Sequence, residues 1–358
     1  MAVRVLHVIS ARAGDGVEHQ LRLLIRHLPQ QCEVVTLSPP GPVLAGMRAD
    51  GTTVHEMVST RDLDPASIRA LRRLTRRGGF DVVHTHLFRA SVHGRLAAWL
   101  AGVAHVVATE YHLDDRRTAL GAWAAYRAGA KSWFTVAVST VIADRLRRWG
   151  VPAERLTVIP KALDTEEFRF DPGLRAAARA RLGIAPDAAV IGGLGRLEPR
   201  KRFDVLIRAV GEVPGAVLLL VGDGSARRAL ERLAAIEGVA DRVFFAGSVE
   251  HAREMLCAMD VFASPGRETF GLAVLEAVAA GLPALYAACE PLDDAPVEGV
   301  RRLTAHDPES LPRGLRAEVL CHAERPERLP ARSAGPRYDA GHVAAAVGEL
   351  YERAGGSP

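Results

Sequence analysis

Residues 264–283 read Ser-Pro-Gly-Arg-Glu-Thr-Phe-Gly-Leu-Ala-Val-Leu-Glu-Ala-Val-Ala-Ala-Gly-Leu-Pro. An extended run at 260–263 leads into them, a polar loop follows, and a helical apolar pattern begins near Phe270. Strand, loop and helix in that order are half of a βα unit, and the same order recurs along the chain. From Phe270 to Leu282 every residue is apolar or Gly except Glu276, and Glu268 stands eight positions before it. A lone carboxylate in an apolar helix is costly to bury without a partner. The N–H groups of Thr269, Phe270, Gly271 and Leu272 fall where a helix start leaves donors unpaired, a place that favours an anion such as phosphate. One anion seat flanked by two carboxylates suits a ligand with a diphosphate in its middle and hydroxyl-rich groups at both ends. An ordinary buried helix, with an acid favourable to its dipole and Glu276 in water, fits the stretch equally well.

Outward from this unit the alternation is regular. In the first half, short β-branched runs are expected as strands over 3–10, 33–37, 53–58, 81–86, 105–109 and 134–139. Helices are expected over 17–28, 65–77, 89–101 and 141–149. A boundary falls near 158–164, and after a polar stretch and a helix over 174–182 the pattern starts afresh. Strands are expected over 190–194, 216–221, 243–246, 261–263 and 284–287, with helices over 203–210, 226–236, 252–259 and 270–280. The Pro- and Arg-rich residues 289–336 carry no clear period, and a last helix spans 340–353. Apolar strands separated by helices predict an α/β protein whose parallel sheets are covered on both faces. Two doubly wound domains are expected, 1–164 and 165–339, followed by a C-terminal helical segment, 340–358, that could pack back on the first domain. The strand ends of both would face a cleft, since ligands bind outside the carboxyl ends of such sheets.

The 358 residues suffice for two cores, and 48% hydrophobic with 25% charged residues is ordinary globular composition. No run reaches the roughly 18 apolar residues of a membrane span. The start, Met-Ala-Val-Arg-Val-Leu-His, reads as a first strand and not as a signal peptide. Cys32, Cys257, Cys289 and Cys321 lack metal-type spacing and read as reduced thiols of a cytoplasmic protein. The net charge of +4 is uneven: residues 1–164 hold 22 Lys+Arg against 14 Asp+Glu. The densest cluster is Arg69, Arg72, Arg73, Arg76 and Arg77. A solvated helix face is its simplest reading, with at most peripheral membrane contact beyond that, and no nucleic-acid motif accompanies it.

Three further loops place Gly or a cation at a strand's carboxyl end. In 11–18, Gly16 lets backbone approach a ligand at a helix start, although the dinucleotide G-x-G-x-x-G pattern is not met. In 192–203, Gly195 precedes Arg196 and Lys201, two cations five apart that can fold over one anion, a planar fork and a mobile point charge. In 221–225, Gly222 marks a tight strand-to-helix turn. His84 and His86 share a strand face, but no third ligand stands at a supporting spacing, so no metal site is expected. His112 ends a strand and would point into the cleft. No hydrolase motif appears.

Taken in order, these loops resemble the retaining GT-B glycosyltransferases of family 4 (glycosyl transferases group 1) over nearly the whole chain. Glu268 and Glu276 match that family's E-x7-E motif, and Gly195-Arg196-Leu197 with Lys201 matches its donor loop. Ala137-Val-Ser139, Leu146-Arg-Arg-Trp-Gly-Val-Pro and Val158-Ile-Pro with Asp164 match its hinge-side signature. The resemblance implies two Rossmann-like domains, with the acceptor on the first and a nucleotide-diphosphate sugar, UDP- or GDP-linked, on the second. It implies that Glu268 faces the sugar hydroxyls and Glu276 the ribose, and that Arg196, Lys201 and the Thr269–Leu272 amides hold the diphosphate. Gly16 would approach the diphosphate, Val249 would lie near the base, and His112 beside sugar and acceptor. The implied reaction is hexosyl transfer with retention, needing no metal or other cofactor, to a small-molecule, lipid-linked or saccharide acceptor. A nucleotide-sugar 2-epimerase of the same fold, or a catalytically weak binding partner, are the other readings. Two departures stand out: Lys161-Ala162 replaces the family's Asn-Gly, and Tyr286-Ala-Ala-Cys289-Glu290 replaces its Gly-Gly loop.

Overall fold

The computed structural model describes residues 3–10, 16–59, 63–111, 133–249, 251–294, 297–304, 309–324, 328–330 and 335–355. The chain forms two compact units, Met1–Ala162 with Arg337–Pro358, and Leu163–Pro336.

In the first unit the elements are β1 (Arg4–Ile9), α1 (Gly16–His27), β2 (Gln31–Thr36), α2 (Pro42–Ala49), β3 (Thr53–Glu56) and α3 (Pro65–Gly78). They continue with β4 (Val82–His86), α4 (Phe88–Ala101), β5 (His105–Glu110), β6 (Trp133–Ala137), α5 (Thr140–Arg148) and β7 (Leu156–Val158). The strands form one parallel sheet in the order β3-β2-β1-β4-β5-β6-β7. Every position of β4 is buried, as a strand covered on both faces requires. α3 shows how local chemistry sets an element. The Asp64 side chain accepts from the Ala66 N–H at 3.0 Å, Pro65 pre-sets the first turn, and Gly79 at φ 60° ends it. Ile68, Leu71 and Thr75 face inward, which turns the arginines out.

The second unit runs α6 (Pro172–Leu182), β8 (Ala189–Leu194), α7 (Phe203–Gly211), β9 (Ala216–Val221), α8 (Arg227–Ile236), β10 (Val243–Gly247) and α9 (Ala252–Ala258). It continues through β11 (Val261–Ser264), α10 (Leu272–Ala279), β12 (Ala284–Tyr286), α11 (Glu290–Asp294), β13 (Val300–Arg302) and α12 (Ser310–Glu324). Its sheet is also parallel, ordered β10-β9-β8-β11-β12-β13. The closing helix, α13 (Ala340–Gly355), belongs to the first unit, where Val343, Ala344, Val347, Leu350 and Tyr351 pack with Val5, Leu24, Leu28 and Val82.

The chain order reverses between β1 and β4 in one sheet and between β8 and β11 in the other. Such switch points open a crevice at the strands' carboxyl ends. No helix among the described residues is long and apolar enough to cross a membrane. The periodic reading did not foresee α2, β7 or the elements α11, β13 and α12. The first two are short, and the last three lie in the stretch whose Pro and Arg content hides the period.

Candidate active site

In the second unit the site begins at the switch point, where the loops after β8 and β11 leave adjacent strands. The first loop carries Gly195, Arg196 and Lys201; the second carries Gly266 and Glu268. Lys201 Nζ donates to Glu268 Oε1 at 2.5 Å, and the two side chains are only 13% and 14% exposed. An ion pair this sheltered is screened less than a surface pair. Gly266 lets the loops meet: a Cβ there would lie 2.6 Å from the Arg200 carbonyl oxygen and 2.7 Å from Lys201 Cα. Any side chain would push the loops apart, and Glu268 away from Lys201.

Arg196 lies beside Lys201 in sequence but not in its pairing. Its Nη2 sits 2.7 Å from Glu198 Oε1, and Arg200 Nε donates to the other oxygen of Glu198 at 2.8 Å. Burial opposes ionisation of Glu198, yet the hydrogen bond from Arg200 and the charges of Arg196, Arg200 and Lys201 hold its carboxyl below the usual range. Glu198 escaped the sequence reading; its signal was an acid set between Arg196 and Arg200. Gly195 donates its N–H to the Val221 carbonyl at 2.9 Å, and Gly222 donates to Gly247 at 2.8 Å, so the turns after β8, β9 and β10 are laced together. Val249 lies half-buried two residues beyond β10.

The helix after Glu268 starts at Leu272, two residues later than the apolar pattern indicates. Gly271 takes φ 93°, a left-handed conformation, and forms the N-cap. The first helical bonds reach the Gly271 carbonyl from Val274 at 3.0 Å and Leu275 at 3.2 Å. Among the described residues, the N–H groups of Thr269, Gly271, Leu272 and Ala273 have no hydrogen-bond partner. Only Leu272, Ala273 and Glu276 of α10 are not buried, and they share one face. Glu276 therefore lies on the same open stripe as the unpaired donors. Phe270 is buried beneath.

The Tyr286–Glu290 segment braces this helix start. Cys289 is fully buried, its thiol donates to the Gly271 carbonyl at 3.7 Å, and a Cβ on Gly271 would meet its Sγ at 2.7 Å. Burial pushes the Cys289 thiol up to about 12, so it stays protonated and able to donate. Tyr286 closes the bend by donating its hydroxyl to Asp293 at 3.2 Å. None of the four cysteines forms a disulfide.

In the first unit, Gly16 opens α1 and is exposed. His112 lies outside the described residues. Lys161 holds its Nζ 5.8 Å from the centre of the Tyr111 ring, a cation–π contact. Ala162 is clamped to α1 by the Gln20 amide, which donates to its carbonyl at 2.9 Å and accepts from its N–H at 2.8 Å. The expectation that His84 and His86 lack a third partner is corrected: His7 stands opposite His84 across the β1–β4 pairing, and the ligand atoms of all three come within 4.8 Å. Five of their six ring nitrogens already have partners. His7 Nδ1 bonds His86 Nε2 at 3.0 Å, His84 bonds the Tyr351 hydroxyl at 2.5 Å and Thr109 at 2.7 Å, and His86 Nδ1 bonds the Tyr111 hydroxyl at 3.1 Å. The His84 and His86 rings stack with their centroids 4.3 Å apart. The cluster is a hydrogen-bonded buried layer of imidazoles that burial keeps neutral.

Two parallel doubly wound units, one with paired Lys and Glu beside an open helix start at its switch point, match the architecture of solved glycosyltransferases of the GT-B fold. Residues 14–167 match the family model described as Glycosyltransferase Family 4, and residues 188–318 match Glycosyl transferases group 1. The D-inositol 3-phosphate glycosyltransferase of Xylanimonas cellulosilytica is 32% identical over 304 residues, 77% of this chain and 73% of that protein. The Actinosynnema mirum enzyme of the same name is 31% identical over 338 residues, covering 85% and 79%. Among solved structures, Anabaena Alr3699/HepE in complex with UDP and glucose superposes with a TM-score of 0.83 at 18% identity, over 97% of this chain and 99% of that one. Sucrose-phosphate synthase from Thermosynechococcus elongatus gives 0.75 at 19% identity, covering 98% of each. The chain belongs to glycosyltransferase family 4.

Proposed function

We propose that this enzyme transfers a hexosyl group, with retention and without a metal, from a UDP- or GDP-sugar to an acceptor hydroxyl. The observation that carries the reading is the sheltered Lys201–Glu268 pair beside the unpaired N–H groups at the start of α10. In this reading those N–H groups, Lys201 and Arg196 take the diphosphate, Glu276 the ribose diol, and Glu268 the sugar hydroxyls while holding Lys201 in place. The bond between the anomeric carbon and the diphosphate oxygen breaks, and the acceptor oxygen bonds to the same face. The acceptor proton passes to the departing diphosphate. Fixed cations and N–H donors stabilise charge as it develops on that leaving group.

The acceptor belongs to the first unit in this account, and the enzyme acts in the cytoplasm, where its thiols would remain reduced. Relatives named for D-inositol 3-phosphate, together with Lys161 over Tyr111, favour a small anionic acceptor over a neutral one. The test is turnover with UDP- and GDP-sugars and inositol phosphate, with the product anomer read by NMR. Lys201→Ala and Glu268→Ala should each lose about a hundredfold or more in turnover, as removal of a transition-state stabiliser does, with folding intact by circular dichroism. Wild-type rates in both variants would sink the mechanism. Release of an inverted free sugar without acceptor would move the chain to the epimerase class.

A further inference from the structure

The five arginines of α3 stand at positions 69, 72, 73, 76 and 77, a spacing that puts them on one helix face. Ordinary solvated helix faces mix signs and use i,i+4 pairs. Neither α3 nor α4 carries a single carboxylate along its length, and no acid pairs with any of the five among the described residues. Arg69/Arg73, Arg72/Arg76 and Arg73/Arg77 are like-charge neighbours four apart, which destabilises the helix that carries them. An anionic partner outside the chain would relieve that repulsion.

The structure adds what the sequence separates. Arg72 Nε donates to the Leu100 carbonyl at 3.0 Å, which brings the end of α4 against the arginine face. There Trp99 is 70% exposed and Leu100 40% exposed. Guanidiniums beside an exposed indole and a leucine suit an interface that is anionic at headgroup depth and apolar just beneath it. A nucleic-acid groove would instead interleave aromatics among its cations, whereas here the one tryptophan sits at the edge of the charge.

We propose that the arginine face of α3, with Trp99 and Leu100 of α4, docks this protein on a membrane bearing anionic lipids. Helices of parallel βα units run opposite to their strands, so the C-terminal ends of α3 and α4 lie at the strands' amino edge. Docking there leaves the carboxyl edge of the first sheet open to an acceptor. The surface belongs to the first unit alone, so it stands or falls independently of the donor assignment.

The test is co-sedimentation of the full chain with phosphatidylcholine vesicles containing or lacking phosphatidylglycerol, at low and high salt. Binding should require phosphatidylglycerol and weaken as salt screens the charges. The triple variant Arg73→Glu, Arg76→Glu, Arg77→Glu should bind at least tenfold more weakly, and Trp99→Ser severalfold more weakly. Both should remain folded by circular dichroism and keep the wild-type turnover on a water-soluble acceptor. Equal binding to both vesicle types, undiminished binding by the triple variant, or binding to duplex or single-stranded nucleic acid but not to vesicles would each overturn the proposal.

Discussion

Lys201 and Glu268 are 67 positions apart, yet neither makes sense without the other. Either charge alone in that sheltered spot would be costly; together they leave a cation and an acid poised at a helix start. Asp260 shows the same rule in a purely structural setting. It is 2% exposed, and its Oδ2 accepts from Arg179 at 2.7 Å and from the Val190 N–H at 2.8 Å. Its Oδ1 lies 2.7 Å from Arg175 and 3.2 Å from His322. This knot fixes the entry to β11, the strand that delivers Glu268. Asp260→Ala would strand Arg179 as a buried charge and should cost about 3–5 kcal/mol, read from the urea midpoint of the second unit. A change under about 1 kcal/mol would show that the knot is not held as described.

At the scale of elements, the repeated βα period made both sheets legible, because buried strands and amphipathic helices write their faces directly into the sequence. What escaped was what pairing across the sheet creates. His7 meets His84 only because β1 lies against β4, and nothing in a separation of 77 positions announces it. The start of α10 escaped for a different reason: apolar periodicity continues through Phe270, but the left-handed Gly271 forbids helix there. The site loops themselves were legible as Gly next to cation or acid, whereas the bracing of Gly271 by Cys289 was not.

The histidine layer gives that cross-sheet pairing a measurable signature. Burial holds the His7 imidazole down to about 3, and His84 and His86 lie well below the usual value for the same reason, reinforced by their neighbours' charge. The native state thus keeps all three neutral, while the unfolded chain protonates near pH 6.5. Stability is full above that pH and is lost as pH falls from 6.5 toward 3, since the unfolded state binds the protons first. By pH 5 the buried His7 ring alone should subtract roughly 2 kcal/mol. The urea midpoint of the first unit should drop between pH 7 and pH 5, and His7→Leu should make that drop shallower. An unchanged midpoint over that window would contradict a neutral buried layer.

For the whole molecule, family membership and fold agree with the local chemistry, and the two units divide the work in the proposed reaction. The first unit carries the arginine face and the Lys161–Tyr111 contact; the second carries the paired loops and the open helix start. Both departures from the family pattern have a physical role. Ala162 is held by Gln20, and Cys289 packs under Gly271 and donates to its carbonyl. They supply different braces for the segments the family builds with glycine, and the helix start of α10 stays open beside them. The central claim is that this helix start, with Lys201 and Glu268, is a nucleotide-sugar seat. Thermal unfolding with a panel of UDP-, GDP- and TDP-sugars tests it most directly, since a ligand at a hundred times its Kd adds about 2.7 kcal/mol of stability. At least one member of the panel should raise the melting temperature of the wild-type protein by several degrees, and Lys201→Ala should abolish most of that rise. If no member stabilises the wild type, or if Lys201→Ala responds as the wild type does, the seat is not where this account puts it.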